Sequence, residues 1–509
     1  MSKGNKVALI LMMGLLVLVA GLAIIIPMLI DVDRYRSQVV AHIEQETGKP
    51  TQIGHLALSI LPQVAIRVDD FALGNPQGFP TGDFVKSKKI YAVVDLFALL
   101  NHKVVINSLE LDGPTIHLFS DVQGKWNYQS PPSKTTAAAD PPGDDKASFT
   151  LGVISNVTIK NGEFAAGNLL ASGAPEPAFV EVHGATINLR QVDLNAFATA
   201  ALRRPAPGRM AALTGSLIPV VFADESQAPM VAQGTLQMDT VQFGSLAVTK
   251  FKSKLRLYPK QVFLDDLDMT CYGGKVTGDL SLIFAGKNLG YATNTHLKGV
   301  NVGQFLNAFP QARGMMTGTL EGTAKVEGEF THSPDPLAGI RGTGQMSIRD
   351  GRLPSLQLNA NLRTLAKLAN LGPANGDPSS FSSVSVDFKI AEQRLSISKI
   401  TVVGNGVSVD GSGSMTMAGD GSLDYQGVAG IATSGNNPLA NVVAGLSGAT
   451  VSGGKLNFPF TVGGTLANPK FSLKGGATGA GGVPQAVAAE PVNAVRGIAG
   501  MFKKKKNQQ

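Results

Sequence analysis

The stretch VSVDFKIAEQRLSISKITVVGNGVSVDGSGSMTM, residues 384–417, decides how the chain is read. Val384, Val386, Phe388 and Ile390 alternate strictly with Ser385, Asp387 and Lys389. A period of two places the apolar set on one face of a strand and the polar set on the other. Leu395 and Ile397 repeat the pattern after a turn, and Val407 and Val409 precede Gly411 and Gly413. Met415 and Met417 then carry it on. Such alternation predicts antiparallel sheet with one apolar and one polar face.

The same reading extends outward. From about 180 to 480 the pattern is strand, glycine turn, strand, with Phe458 and Phe460 near its end. Upstream, Val153, Val157 and Ile159 predict a strand closed by a turn at Asn161-Gly162. Leu109 and Leu111 predict another, with Gly113-Pro114 as the turn to a strand holding Ile116 and Leu118. Tyr35, Val39, Ile43 and Thr47 recur every fourth residue, predicting a helix capped by Asp31 or Asp33 and stopped at Gly48. Two later stretches fit the helical spacing: Val302, Phe305, Leu306 and Phe309, and Leu358, Leu362, Leu365 and Ala369.

Composition agrees with a long sheet. Charged residues are 16% of the chain, and 59 of 509 residues are glycine. Disorder goes with high charge and low hydrophobicity, and a long coiled coil with abundant Glu, Lys and Arg, so both are excluded. The formal charge is +7. Lys3, Lys6 and the run Lys503, Lys504, Lys505 and Lys506 account for all but one of these charges. A nucleic-acid binder needs its basic residues clustered on the body of a domain, so nucleic acid is not an expected partner. The single cysteine, Cys271, rules out an intramolecular disulfide.

Residues 7–30 contain no charge. As a helix they reach ~36 Å, enough for a ~30 Å hydrocarbon core. Lys3 and Lys6 place the N-terminus in the cytoplasm by the positive-inside rule. The expected organisation is a cytoplasmic segment 1–6, a transmembrane anchor 7–30, a helix and β region 31–129, a linker 130–147, a β-rich region 148–474 and a Gly/Ala linker with basic tail 475–509. In that tail Val492, Val495, Ala499 and Phe502 share a helical face ahead of Lys503–Lys506. Phe502 and the four lysines are candidates for contact with an anionic lipid surface.

No set of residues nominates an enzyme. The histidines are scattered, without HExxH or HxxxH spacing, and neither a GxSxG elbow nor a Walker loop occurs. Asp265, Asp266 and Asp268 lack a calcium-loop glycine or a convergent histidine. No metal and no cofactor is expected.

DVDRYRSQVVAHIEQETGKP, after the anchor, is similar to the N-terminal signature of the AsmA family. Asn75, Pro76, Gly78 and Phe79 match that family's asparagine-to-glycine-phenylalanine turn, and LELDGP (109–114) and GKWN (124–127) resemble its next blocks. YGGKVTG (272–278) resembles its strand–turn motif, and FPFTVGGTLANP (458–469) its closing strand pair. The resemblance implies a protein anchored in the bacterial inner membrane, with a periplasmic body and a part in outer-membrane biogenesis. Larger AsmA-like relatives, TamB-like proteins among them, resemble bridge-type lipid transporters. The implied fold is a mainly β, long curled antiparallel sheet, a taco-like groove, with a few short helices. Phospholipid acyl chains would slide along its apolar side.

Val384, Val386, Phe388, Ile390, Leu395, Ile397, Val407, Val409, Phe458 and Phe460 are the candidate groove lining. Alternation alone equally suits a closed β-sandwich. Roughly 20–25 strands at ~4.8 Å would span on the order of 100–120 Å, so a partner at the outer membrane or in the periplasm is a further expectation. The competing reading is a non-catalytic assembly factor that binds outer-membrane proteins, for example by adding a client strand to an open edge.

Overall fold

The computed structural model of the chain describes residues 32–59, 63–95, 98, 103–128, 148–149, 153–193, 196, 229–283, 289–308, 313–314, 316–330, 339–352, 380–404, 407–417, 421–432, 449–465 and 468–473. The anchor 7–30, the linker 130–147, the helix expected at Leu358–Ala369, and the tail with Phe502 and Lys503–Lys506 lie outside the described residues. Among the described residues no helix is long and apolar enough to cross a membrane. They are mainly β, a long mixed sheet with few helices. The chain divides into two compact units, residues 1–244 with 249–262, and residues 245–248 with 263–509.

The first unit begins with a single 3-10 turn, Asp33–Tyr35, and helix α1, Arg36–Thr47. Its strands are β1 (Thr51–Gln52), β2 (His55–Ser59), β3 (Ala65–Gly74), β4 (Asp83–Val94), β5 (Lys103–Val104) and β6 (Ile106–Asp112). They continue with β7 (Thr115–Ser120), β8 (Ser148–Phe149), β9 (Val153–Asn168), β10 (Val180–Asp193) and β11 (Ala232–Phe243). Two strands, β12 (Leu246–Tyr258) and β13 (Gln261–Cys271), are divided between the units. The second unit holds β14 (Gly274–Ile283), β15 (Leu289–Asn301), α2 (Val302–Asn307), β16 (Thr317–Phe330), β17 (Arg341–Arg352) and β18 (Ser380–Ala391). It ends with β19 (Arg394–Gly404), β20 (Val407–Thr416), β21 (Leu423–Ala432), β22 (Thr450–Ser452), β23 (Lys455–Thr465) and β24 (Asn468–Leu473).

The expectation of purely antiparallel pairing is corrected. β6 and β7 both run parallel to β9, and β5 pairs parallel with β8. The reason lies at Gly113-Pro114, which is not a hairpin turn. Lys89 pairs with Asp112 and Lys86 with Thr115 in one unbroken register, so β6 and β7 are two halves of one bent strand beside β4. Gly113 takes φ +56° and Pro114 has no amide to donate, so the pair bends the strand without closing it. Asn161-Gly162 is likewise no turn: β9 passes straight through it, with Asn161 at φ +52°.

These positions line up. Asp70 (φ +52°), Gly113 (+56°), Asn161 (+52°) and Gly184 (+66°) fall at the same height on β3, β6–β7, β9 and β10. At each, the apolar alternation jumps by an odd step, as from Val157 and Ile159 to Phe164 and Ala166. A left-handed residue breaks the pleat and absorbs that step, as in a bulge. Ser87, fully buried on β4 at this height, lies 3.1 Å from the Lys89 carbonyl and 3.2 Å from that of Asp112 by its hydroxyl.

On one side of this crease the register stacks Leu56, Val68, Ile90, Leu111, Ile159, Ile187 and Leu236 into one apolar row across seven strands. The opposite face at the next position carries His55, Asp69, Lys89, Asp112 and Lys160 as directly opposed neighbours. Directly opposed unlike charges stabilise a sheet by about 0.2–1 kcal/mol per pair. Lys160 Nζ is held 2.6 Å from Glu110 Oε1. The core of this unit is Ile154, Val192, Ala196, Val231 and Ala232.

Helix α1 ends as predicted, with Gly48 left-handed at φ +66° and its amide on the Glu44 carbonyl at 2.8 Å. Its beginning differs. Neither Val32 nor Tyr35, at the caps of the 3-10 turn and the helix, supplies a side-chain bond, and Asp31 lies outside the described residues. The Asp33 carboxylate accepts the Leu56 amide at 2.8 Å and sits 3.2 Å from His55 Nδ1 and 3.9 Å from Arg36, tying the helix to β2. The Leu56 amide, against a desolvation that opposes it and with help from Arg36 and His55, holds the Asp33 carboxyl below its ordinary value. In the second unit α2 ends at Asn307, inside the expected Phe309, and Asn301 caps it by accepting the Gln304 amide at 2.9 Å.

Two expected outcomes follow from this packing. Asn127 is fully buried; its amide donates to Asn75 Oδ1 (2.7 Å) and the His117 carbonyl (2.8 Å), and its oxygen accepts the Phe119 amide (3.1 Å). Asn127→Ala strands these partners and lowers unfolding stability by about 2–4 kcal/mol, read from the urea midpoint. A carboxyl depressed by folding stabilises above its unfolded value and loses that contribution as pH falls through its folded value. The wild-type Tm therefore falls through the acid range more steeply than that of Asp33→Asn; parallel acid profiles would refute the tether.

Candidate functional site

The second unit carries the candidate surface. Antiparallel pairing runs β14–β15–β16–β17–β18–β19–β20–β21–β23–β24, with β22 also on β23. Directly opposed residues share a face, so the register defines rows across the sheet. One row is Leu297, Gly322, Met346, Val386, Ile400, Gly411, Gly427 and Phe460. The next is Ala324, Gly344, Phe388, Ile397, Gly413, Tyr425 and Val462. Flanking rows hold Val326, Ile390, Leu395 and Met415 on one side and Ile348, Val384, Val402, Val409 and Phe458 on the other.

All ten candidate lining residues therefore fall on one face. They do not fall in one environment. Val409 and Phe458 belong to a buried cluster with Ala429, Ile431, Ala449 and Leu456, against which Val407 and Phe460 pack. Val384 is buried as well. Val386, Phe388, Ile390, Leu395 and Ile397 remain partly exposed, and so do Met346, Ile348 and Ile400 beside them. The face thus has a closed end and a partly open middle.

Two features hide part of this face from the sequence. Ile400 is out of phase with Ile397, because a bulge at Ser398-Lys399 shifts the register on both sides of β19. The bulge returns Ile400 to the apolar side opposite Val386. On β17, Gly342 and Gly344 occupy apolar-face positions, so the strand shows no alternation there. Its only apolar signals are Met346 and Ile348.

The glycines have a shared purpose. Phe388 lies opposite Gly344, Tyr425 opposite Gly413, Phe460 opposite Gly427 and Tyr291 opposite Gly328. A Cβ at Gly344 would sit 2.6 Å from the Phe388 ring, and one at Gly328 2.8 Å from the Tyr291 hydroxyl. Each ring folds down over its glycine, which keeps the surface low and covers exposed backbone. Desolvation raises the Tyr425 and Tyr291 phenols above their ordinary value.

The reverse face is polar. Ser385, Asp387 and Lys389 lie there with Ser396, Lys399 and Thr401. Thr401 Oγ1 donates to Asp410 Oδ1 at 2.8 Å, and Arg349 is 3.1 Å from Glu321. Among the described residues no group of three or more His, Cys, Asp or Glu could hold a metal ion. Of the acidic run, Asp268 pairs with Lys275 at 2.8 Å, and Asp266 occupies a left-handed position at φ +52°.

A family model, that of the AsmA family, matches residues 1–165 and 154–400. No curated protein and no solved structure matches the chain. The motif residues Asn75 and Asn127 meet through one hydrogen bond, and residues 458–469 span the paired strands β23 and β24.

Gly328→Ala pushes first against Tyr291, and overpacking of this kind typically removes about 1–3 kcal/mol. Tyr291→Ala relieves it, so the double variant loses less than the two single losses together. Strict additivity in a urea-denaturation cycle would count against the ring-over-glycine contact.

Proposed function

The chain belongs to the AsmA family, and from that premise we propose that it binds phospholipid and passes acyl chains along the apolar face of β14–β24. The observation that carries this reading is the partly open middle of that face. Val386, Phe388, Ile390, Leu395 and Ile397 lie side by side on one surface, yet remain partly exposed. An apolar surface of this kind is normally covered by a partner or ligand.

The dimensions suit an acyl chain. Four rows at two residues per step make a band about 20 Å wide along the strands. One leaflet of a bilayer core is about 15 Å deep, so an extended chain lying along a strand is covered. In a bilayer each methylene is already out of water, worth about 0.8 kcal/mol. A conduit must match that figure continuously, with no charged interruption. The unbroken rows of Val, Ile, Leu, Phe and Gly meet the requirement, and the polar reverse face keeps the sheet soluble.

In this reading Val407, Val409, Phe458 and Phe460 form the packed end of the face, and the five open residues touch lipid. The body lies in the periplasm, held to the inner membrane by residues 7–30, and serves outer-membrane biogenesis. Phe502 and Lys503–Lys506 meet an anionic membrane surface. The chemistry is binding and transfer, with no catalytic group, metal or cofactor.

A photo-crosslinking side chain placed at position 388 or 397 of the full-length protein should capture phospholipid, identified by mass spectrometry. The same group at 385 or 396, on the reverse face, should not. Equal capture from both faces, or none from either, would remove the proposal. A defined protein captured at 388 in place of lipid would favour the assembly-factor reading.

A further inference from the structure

The far end of the first unit, where β3, β7, β9 and β11 finish and β10 starts, carries an unusual set of turns. Three loops meet there: 75–82, 121–126 and 170–175. Hydrogen bonds at their bases join them, from Asn127 to Asn75 and from the Leu169 amide to the Ser120 carbonyl, and the Gly244 amide on the Phe179 carbonyl ties the end of β11 to the start of β10. The charged residues here are Asp121, Lys125 and, in the loop from β9 to β10, Glu176. Asp121 Oδ1 accepts the amides of Gln123 (2.9 Å) and Lys125 (2.8 Å), so its carboxylate is occupied within its own turn.

Among polar residues such as Gln77, Gln123 and Ser172, these turns and the strand ends beside them expose large apolar side chains. Val122 is 61% exposed, Tyr128 49%, Leu170 47% and Phe243 49%. Trp126, the single tryptophan of the chain, stacks on Tyr128 at 6.0 Å and meets Phe179 edge-on at 6.5 Å. Aliphatic tips are thus backed by a rigid cluster of indole, phenol and phenyl rings, with one lysine beside it.

We propose that this end of the first unit seats in the interfacial layer of a phospholipid bilayer. Trp and Tyr favour that layer because their rings are apolar and their N–H and O–H groups meet water and headgroups. Val122 and Leu170 project on separate turns, which suits the ~5–10 Å penetration of interfacial elements. A protein partner would instead favour one contiguous face of roughly 800 Å². Lys125 faces headgroup phosphates, while Asp121 Oδ1 is engaged by two amides of its own turn. The inference rests on the lipid-transfer reading for the purpose of the contact, since a face that carries acyl chains must meet a bilayer somewhere. The contact itself is argued from the turns alone.

Trp126 makes the test specific. The full-length protein is placed in nanodiscs of ordinary phosphatidylcholine and mixed with vesicles of phosphatidylcholine brominated on its acyl chains. Trp126 emission should fall on mixing, most with bromine near the headgroup, and recover when the vesicles are floated away. Unbrominated vesicles should leave its intensity intact. The double variant Leu170→Ser/Phe243→Ser, on exposed turns and with unchanged far-UV circular dichroism, should lose the quenching. Emission indifferent to brominated vesicles overturns the proposal. So does a wild-type dimer that the double variant converts to monomer, since the turns would then meet a second copy. Lipid capture at position 388 is measured on the same samples. Retained capture with no quenching leaves the lipid face standing and sinks only the bilayer contact; quenching without capture does the reverse.

Discussion

Cross-strand register is the constraint on which the rest of this protein depends. Side chains alternate along a strand, so a slip of one residue moves every apolar group to the polar side. In the second unit ten successive strands hold a register in which Val386, Ile400, Met346 and Leu297 form one row. No single pair of these contacts is large. Their effect is collective: an apolar surface that continues from strand to strand without a charge. The reverse face, with its Ser, Thr, Asp and Lys neighbours, holds the same register from the other side.

Keeping that register across bent strands requires exceptions to regular geometry, and these fall in lines. Asp70, Gly113, Asn161 and Gly184 form one such line in the first unit. In the second, shifts at Thr317/Thr319 and Phe381/Ser383 fall at one height across β16, β17 and β18. A bulge on one strand alone would misalign its neighbours. Bulges at matching heights bend the sheet together and leave the apolar rows intact on either side. The hydrogen bond from buried Asn127 to half-buried Asn75 has a comparable part, fixing the corner from which the turns of the first unit project.

Strand content, the one-sided faces and the family were all legible in the sequence. Val384–Ile390 and Leu395–Ile397 read correctly because their alternation is local and complete. Gly113-Pro114 and Asn161-Gly162 read wrongly as turns. Both dipeptides favour turns, but β9 supplies a parallel partner to β6 and β7 from 48 residues away, and that pairing keeps the strands extended. Nor does an aspartate before a helix disclose that its carboxylate accepts an amide from another element, as Asp33 does from Leu56. The glycine positions of the apolar face were invisible, because Gly344 gains meaning only from the Phe388 ring folded over it.

What the sequence determined by itself is the periodicity: which residues are apolar at every second position, where charge is absent, and which motifs mark the family. These are properties of neighbours in the chain. Only the tertiary structure decided which strands pair, and therefore which apolar residues share a row. It also separated Phe458, sealed in a packed cluster, from Phe388, left partly open, although both alternate in the same way. The physical reason is that burial depends on what lies across the sheet and above it, and those neighbours come from distant parts of the chain.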